Sequence, residues 1–130
     1  KGEKNYTLRI YYDNGKLSEE HTYKEGKEDG SQKYYQREGY LSKELLKENG
    51  ELVLYKTYHS NGKLYSEMPY KDGKKNGKSV IYYPNGKITE EGTYKNNRKE
   101  GVWKYYNQAG RLTSEETYDH DNVVKTVNYN

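Results

Sequence analysis

Lys78-Ser79-Val80-Ile81-Tyr82-Tyr83-Pro84-Asn85-Gly86-Lys87-Ile88-Thr89-Glu90-Glu91-Gly92-Thr93-Tyr94 decides the fold of this chain, because its pattern recurs. At its centre a tyrosine stands four residues before a glycine, and an aliphatic residue two after it. The same spacing appears as Tyr11-Gly15-Leu17, Tyr35-Gly39-Leu41, Tyr58-Gly62-Leu64, Tyr82-Gly86-Ile88 and Tyr106-Gly110-Leu112. The glycines lie 24, 23, 24 and 24 residues apart, a period that belongs to solenoids and arrays rather than to one-core globules. Residues repeated this often are scaffold before they are active site.

Asn-Gly between two strand-like runs is a strong hairpin signal, since a type I′ turn needs positive φ at both central residues. Asn14-Gly15, Asn61-Gly62 and Asn85-Gly86 therefore predict two-residue type I′ turns, while Glu38-Gly39 and Ala109-Gly110 leave another turn or a bulge open. A wider turn closes each unit, as in Lys24 to Gly30, Lys71 to Gly77 and Lys95 to Gly101. In the last of these Asn97 replaces a glycine, a residue that tolerates the left-handed conformation. The second copy lacks the second glycine and is one residue shorter there. Together the two turns hold 11 of the 13 glycines.

The expectation is an all-β chain: an elongated, single-layer antiparallel meander of about ten strands. Residues 1–130 form one repeat domain of five 24-residue hairpins centred on Gly15, Gly39, Gly62, Gly86 and Gly110, with 122–130 as a C-terminal cap strand. Tyr40 to Gly50 resembles a short helix with a terminal glycine, but its phase with the other copies predicts strand. The first strand, Tyr6 to Tyr11, begins in mid-pattern, so its edge is expected to be exposed and to support end-to-end association through residues 6–12.

If Asn14-Gly15 are the two turn residues, Asp13 faces Lys16 and the count carries outward to Arg9 opposite Glu20. The same count sets Lys33 opposite Glu44, Lys56 opposite Glu67 and Lys104 opposite Glu115, and only Val80 opposite Glu91 departs. Opposite charges across antiparallel strands each contribute roughly 0.2–1 kcal/mol, so the match supports the register. Alternation then puts Tyr11, Tyr35, Tyr58, Tyr82 and Tyr106 on the face of these charges, with Ser18, Ser42, Thr89 and Thr113. Leu17, Leu41, Leu64, Ile88, Leu112, Ile10, Tyr34, Ile81, Trp103 and Tyr105 fall on the other, more apolar face.

Composition agrees with a thin object. Only 30% of residues are hydrophobic, 18 residues are tyrosine, and phenylalanine and cysteine are absent. With no cysteine there is no disulfide or thiolate chemistry. The 23 basic and 20 acidic residues are interleaved, which offers little to a polyanion and argues against nucleic acid as a partner. Lys1 is not an initiator methionine, so the sequence is read as processed or trimmed, and a signal peptide, lipid anchor or further repeats ahead of it are all compatible.

Tyr11-Tyr12-Asp13-Asn14-Gly15-Lys16-Leu17 with Tyr23-Lys24-Glu25-Gly26-Lys27 resembles the bacterial variant of the MORN repeat, as do the third and fourth copies and Gly101-Val102-Trp103-Lys104-Tyr105-Tyr106. The resemblance covers essentially the whole chain and extends to the YwqK-type antitoxin-component proteins. It implies an elongated antiparallel sheet with roles in binding or scaffolding; the sequence does not fix a compartment, and a bacterial, exported or cell-envelope setting is favoured over the cytoplasm. It transfers no catalytic residue.

The residues themselves do not converge on chemistry. His21, His59 and His120 occupy three phases of the repeat, and His59 takes the slot of Tyr12 and Tyr83, which makes it a surface aromatic rather than a ligand. Glu20, Glu44, Glu67, Glu91 and Glu115 read as ladder partners rather than general acids or bases. No enzyme, cofactor or metal site is expected. The expected function is a repeat scaffold for protein–protein interaction, antitoxin-like or envelope-associated. Its candidate binding face is Tyr11, Tyr35, Tyr58, Tyr82 and Tyr106, since rigid tyrosines give contact area at low entropic cost. The rivals, both through the tyrosine/lysine face, are lipid-headgroup binding, which draws on lysine-rich turns such as Lys71 to Lys78, and cell-wall glycan binding, which draws on Gly101 to Gly110.

Overall fold

The computed structural model describes residues 5–130. They form one open, all-antiparallel sheet of 12 strands without helices. In chain order these are β1 Tyr6–Tyr11, β2 Leu17–Lys24, β3 Lys27–Tyr35, β4 Leu41–Glu48, β5 Glu51–Tyr58 and β6 Leu64–Lys71. Then come β7 Lys74–Lys75, β8 Gly77–Tyr82, β9 Ile88–Lys95, β10 Arg98–Tyr106, β11 Leu112–Asp119 and β12 Asn122–Asn128. Each strand pairs with its neighbours in sequence, except that β6 pairs with both β7 and β8, two pieces of one strand interrupted at Asn76. The expected ten strands thus become five hairpins, one of them split, plus β12. The helix-like stretch after Tyr40 is strand, in phase with the other copies.

The two turns exchange the roles expected of them. In the Asn-Gly turns only the glycine is left-handed, with Gly15 at φ 87°, Gly62 at 90° and Gly86 at 91°. Gly15 N–H donates to Tyr12 O (3.0 Å) and Tyr12 N–H to Lys16 O (2.8 Å), closing a β-turn followed by a glycine bulge. Gly39 and Gly110 close their loops with the same pair of bonds. Asn14 stays out of the left-handed region, as Glu38 and Ala109 do in the sister loops, and its Oδ1 accepts from Lys16 N–H (2.9 Å), an Asx turn. The turns read as wide are the two-residue type I′ turns: Glu25-Gly26, Asn49-Gly50, Asp72-Gly73, Asn96-Asn97 and His120-Asp121 all have positive φ at both positions. Asn97, at φ 74°, stands in for glycine as expected.

The outer register is the expected one: Arg9 faces Glu20, Lys33 faces Glu44, Lys56 faces Glu67, Val80 faces Glu91 and Lys104 faces Glu115. Nearer the turn the bulge shifts it by one, so Tyr11 faces Leu17 rather than Ser18, and Tyr12, not Asp13, meets Lys16. The same shift sets Tyr35 opposite Leu41, Tyr58 opposite Leu64, Tyr82 opposite Ile88 and Tyr106 opposite Leu112. The aliphatic position therefore lines up with the ladder tyrosine instead of standing on a separate register position.

A second irregularity follows each type I′ turn. Between the pairs Tyr23–Glu28 and His21–Gln32, β3 advances four residues while β2 advances two, and Gly30 takes φ 89° within the insertion. Gly77 and Gly101, at φ 120° and 77°, mark the same insertion in the third and fourth repeats. Where that glycine is missing, in β5 and β12, the insertion is a single-residue bulge. This accounts for the shorter second copy.

Candidate interaction face

The junction pairings extend the hairpin pairings into one continuous row across the sheet. It runs Arg9, Glu20, Lys33, Glu44, Lys56, Glu67, Val80, Glu91, Lys104, Glu115 and Val127. Charge alternates along this row until Val80 removes a cation.

Few of these pairs close to contact. Arg9 Nε lies 2.8 Å from Glu20, whereas Glu91 draws its nearest cation from Lys78 Nζ at 3.1 Å. Glu44, Glu91 and Glu115 take hydroxyl donors. Tyr58 donates to Glu44 (3.1 Å), which also accepts from Ser31 Oγ, and Tyr106 donates to Glu91 (2.5 Å). Tyr129 donates to Glu115 (3.1 Å). Tyr129 is a sixth ladder tyrosine that the glycine-based pattern misses; its signal is the spacing of 23 residues from Tyr106.

These bonds set the titration of the face. Burial and the adjacent Glu44 push the Tyr58 hydroxyl up to about 12. The Glu91 hydrogen bond, with burial second, does the same for Tyr106, also to about 12. That bond holds the Glu91 carboxyl below its ordinary value against the opposing effect of burial, and Lys78 and Lys104 lower it further. Tyr82 is raised by burial and then by Glu67 and Glu91, with Lys78 opposing.

The candidate face residues are placed unequally. Tyr11 lies 58% exposed on edge strand β1, whose six residues are all exposed, while Tyr35, Tyr58, Tyr82 and Tyr106 are half-buried. What makes the face rigid lies at the Asn-Gly rim. Tyr12 donates its hydroxyl to Tyr35 O, His59 Nε2 lies 2.9 Å from Tyr82 O, and Tyr83 donates to Tyr106 O at 2.7 Å. Asn14, Asn61 and Asn85 reach the backbone of the following loop through Nδ2, at 3.2, 2.9 and 2.9 Å. His59 therefore does the work of the tyrosines whose slot it takes.

Val80 apart, the buried side chains lie on the opposite face. His21, Gln32, Ser79 and Trp103 are 6%, 0%, 3% and 1% exposed, a row of mainly polar residues that composition alone does not reveal. Gln32 Nε2 donates to Thr22 O (2.9 Å) and presents Oε1 to His21 Nδ1 (3.0 Å), while Glu19 lies 2.8 Å from His21 Nε2. Trp103 packs edge-on against Tyr94 and Tyr118, and Lys99 Nζ sits 4.6 Å from its ring centroid. Its ring is thus covered on the sheet and has no open face of its own. At the type I′ rim Glu100, Asp119 and His120 bring ligand atoms within 4.8 Å of one another, a convergence that phase counting misses. Lys74, Lys95 and Arg98 share that rim cavity with Glu100 and His120, and their charge opposes a metal ion.

The repeat geometry agrees with a direct sequence match: residues 7–25, 51–72, 75–96 and 99–120 match the MORN repeat variant, more than half of the chain. The chain belongs to the MORN repeat variant family. Residues 26–50, which span the irregular second copy, fall outside the match. No curated protein matches the sequence. Among solved structures the chain is similar to a component of the Glycosylation Associate Protein (Gap123) complex from Streptococcus agalactiae, at TM-score 0.49 and 14% identity. The likeness covers 86% of this chain and 18% of that one.

Proposed function

We propose that this MORN-variant chain is a non-catalytic scaffold that binds another protein through the tyrosine face formed by Tyr11, Tyr35, Tyr58, Tyr82 and Tyr106. One observation carries the reading: successive repeats are stapled backbone to side chain along the Asn-Gly rim, so the tyrosines stand at a fixed period on a stiff surface. Aromatic side chains pre-positioned in this way bind with little loss of rotamer freedom. An antitoxin-like or cell-envelope setting goes with this proposal through the family resemblance alone.

The test is capture of a protein partner by the parent chain and by a Tyr82→Ser/Tyr106→Ser variant with an unchanged circular dichroism spectrum. Loss of capture in the folded variant supports the reading. Unchanged capture moves the contact off this face. Flotation of the parent with anionic liposomes, also lost in the variant, would replace the protein partner with a membrane surface.

A further inference from the structure

Short of its last strand, where Val127 faces Glu115, the charge row has one gap on its tyrosine face, and the gap leaves a carboxylate underused. Glu20 lies between Arg9 and Lys33 in the register, and Glu44 lies between Lys33 and Lys56. Glu67 has Lys56 on one side only, because Val80 holds the position where a cation stands in neighbouring repeats. Glu91, on the far side of Val80, recovers a cation from Lys78 and a hydroxyl from Tyr106. Glu67 recovers neither: among the described residues it alone of the five ladder glutamates has no hydrogen bond or ion pair, and the Tyr82 hydroxyl is also without a partner.

Tyr82 and Glu67 lie on the same face beside the buried side chain of Val80, and the Glu67 charge contributes to raising the Tyr82 hydroxyl. A half-buried carboxylate, a free hydroxyl acceptor and an aromatic ring beside an apolar side chain match a guanidinium or ammonium group. We propose that the gap at Val80 is the anchor point of the interaction face, where an arginine or lysine of the protein partner supplies the cation missing from the row. The proposal rests on the interaction reading above and names the side chain that reading requires of the partner.

The experiment titrates the intact chain with N-acetyl-arginine amide, followed by backbone amide NMR shifts, with N-acetyl-citrulline amide as the neutral twin. Shifts centred on Glu67, Val80 and Tyr82, seen with the arginine compound alone, are expected. Val80→Lys restores the internal cation and should weaken binding about tenfold or more, as should Glu67→Gln. Lysine already stands in this row at positions 33, 56 and 104, so the Val80 variant keeps a native arrangement, and the Glu67 variant checks the same site without altering a buried residue. Shifts spread evenly over all five ladder glutamates, unchanged affinity in both variants, or preference for phosphocholine over arginine amide would each overturn the proposal. The two readings fail separately. Partner capture that survives both variants but is lost in the tyrosine double variant removes the anchor and leaves the face. Capture that is lost in the Glu67 and Val80 variants but unaffected by Tyr106→Ser alone removes the wider face and leaves the anchor.

Discussion

Strands β3, β10 and β8 offer the same slot, and three residues fill it differently. After each glycine-marked insertion one carbonyl of the preceding strand turns toward the slot. In β3, Gln32 meets it, donating to Thr22 O and filling the space completely. In β10, Trp103 meets the equivalent carbonyl, Thr93 O, through Nε1 at 3.2 Å. In β8 the residue is Ser79, too short to reach, and its buried hydroxyl is left with no partner. There the carbonyl, Pro69 O, is met by the Asn76 backbone N–H at 3.0 Å, at the interruption between β7 and β8. A buried acceptor must be paired, so a short side chain shifts the burden to the backbone.

The strongest way to break the comparison is Gly92→Ala. An added Cβ would lie 2.1 Å from Trp103 Cδ2, and Tyr94, Tyr118 and Lys99 leave that ring no room to retreat. Urea unfolding should show a loss of about 3 kcal/mol or more. Adding Trp103→Gln should recover most of it, since the first repeat accommodates His21 beside Gln32 at the matching positions. Next comes Gln32→Ala, which strands Thr22 O and one contact of His21, with an expected loss of about 2 kcal/mol. Ser79→Ala should carry the opposite sign, a gain of about 1 kcal/mol, because it deletes an unpaired buried hydroxyl. A loss there of the size seen for Gln32 would mean that the β8 slot pairs its hydroxyl after all.

The smallest effect concerns pH. Tyr58 and Tyr106 titrate near 12 in the folded chain, above the ordinary value of 10.0. Between those two limits the unfolded chain holds fewer protons, so their contribution is whole below the lower limit and disappears as pH rises through the upper one. Glu91 acts at the other end: its lowered carboxyl adds stability above the ordinary value of 4.5 that is lost as pH falls through the folded value. Tyrosinate absorbance should show a late-ionising class, and Tyr106→Phe should remove part of it while raising the acid midpoint of unfolding. An unchanged acid midpoint would show that the Tyr106–Glu91 bond contributes nothing measurable.

Much of the face was legible because strand alternation and charge pairing are local counts. Arg9 opposite Glu20, Lys104 opposite Glu115 and the isolated place of Val80 all follow from equal spacing about a turn. Tyr129 was legible too, by spacing, but hidden from a pattern anchored on glycine. The hydroxyl partners of Glu44, Glu91 and Glu115 were not, because Tyr58 and Tyr106 reach glutamates 14 and 15 residues back across a repeat boundary.

By itself the sequence determined the number of hairpins, their antiparallel order, the outer register and the phase of the tyrosines, since each depends on spacing within one repeat. Only the tertiary structure decided which turn was type I′, where the register slipped between Ile10 and Tyr11, and which carboxylate was left without a partner. Asn14 shows why. Its Oδ1 is held by Lys16 two residues on, but its Nδ2 is held by Arg37 of the next repeat, a contact that exists only once the repeats have stacked. Glu38-Gly39 and Ala109-Gly110 close the same turn without an asparagine at that position, so the place of the loop between stacked repeats, and not the adjacent pair alone, goes with this backbone conformation.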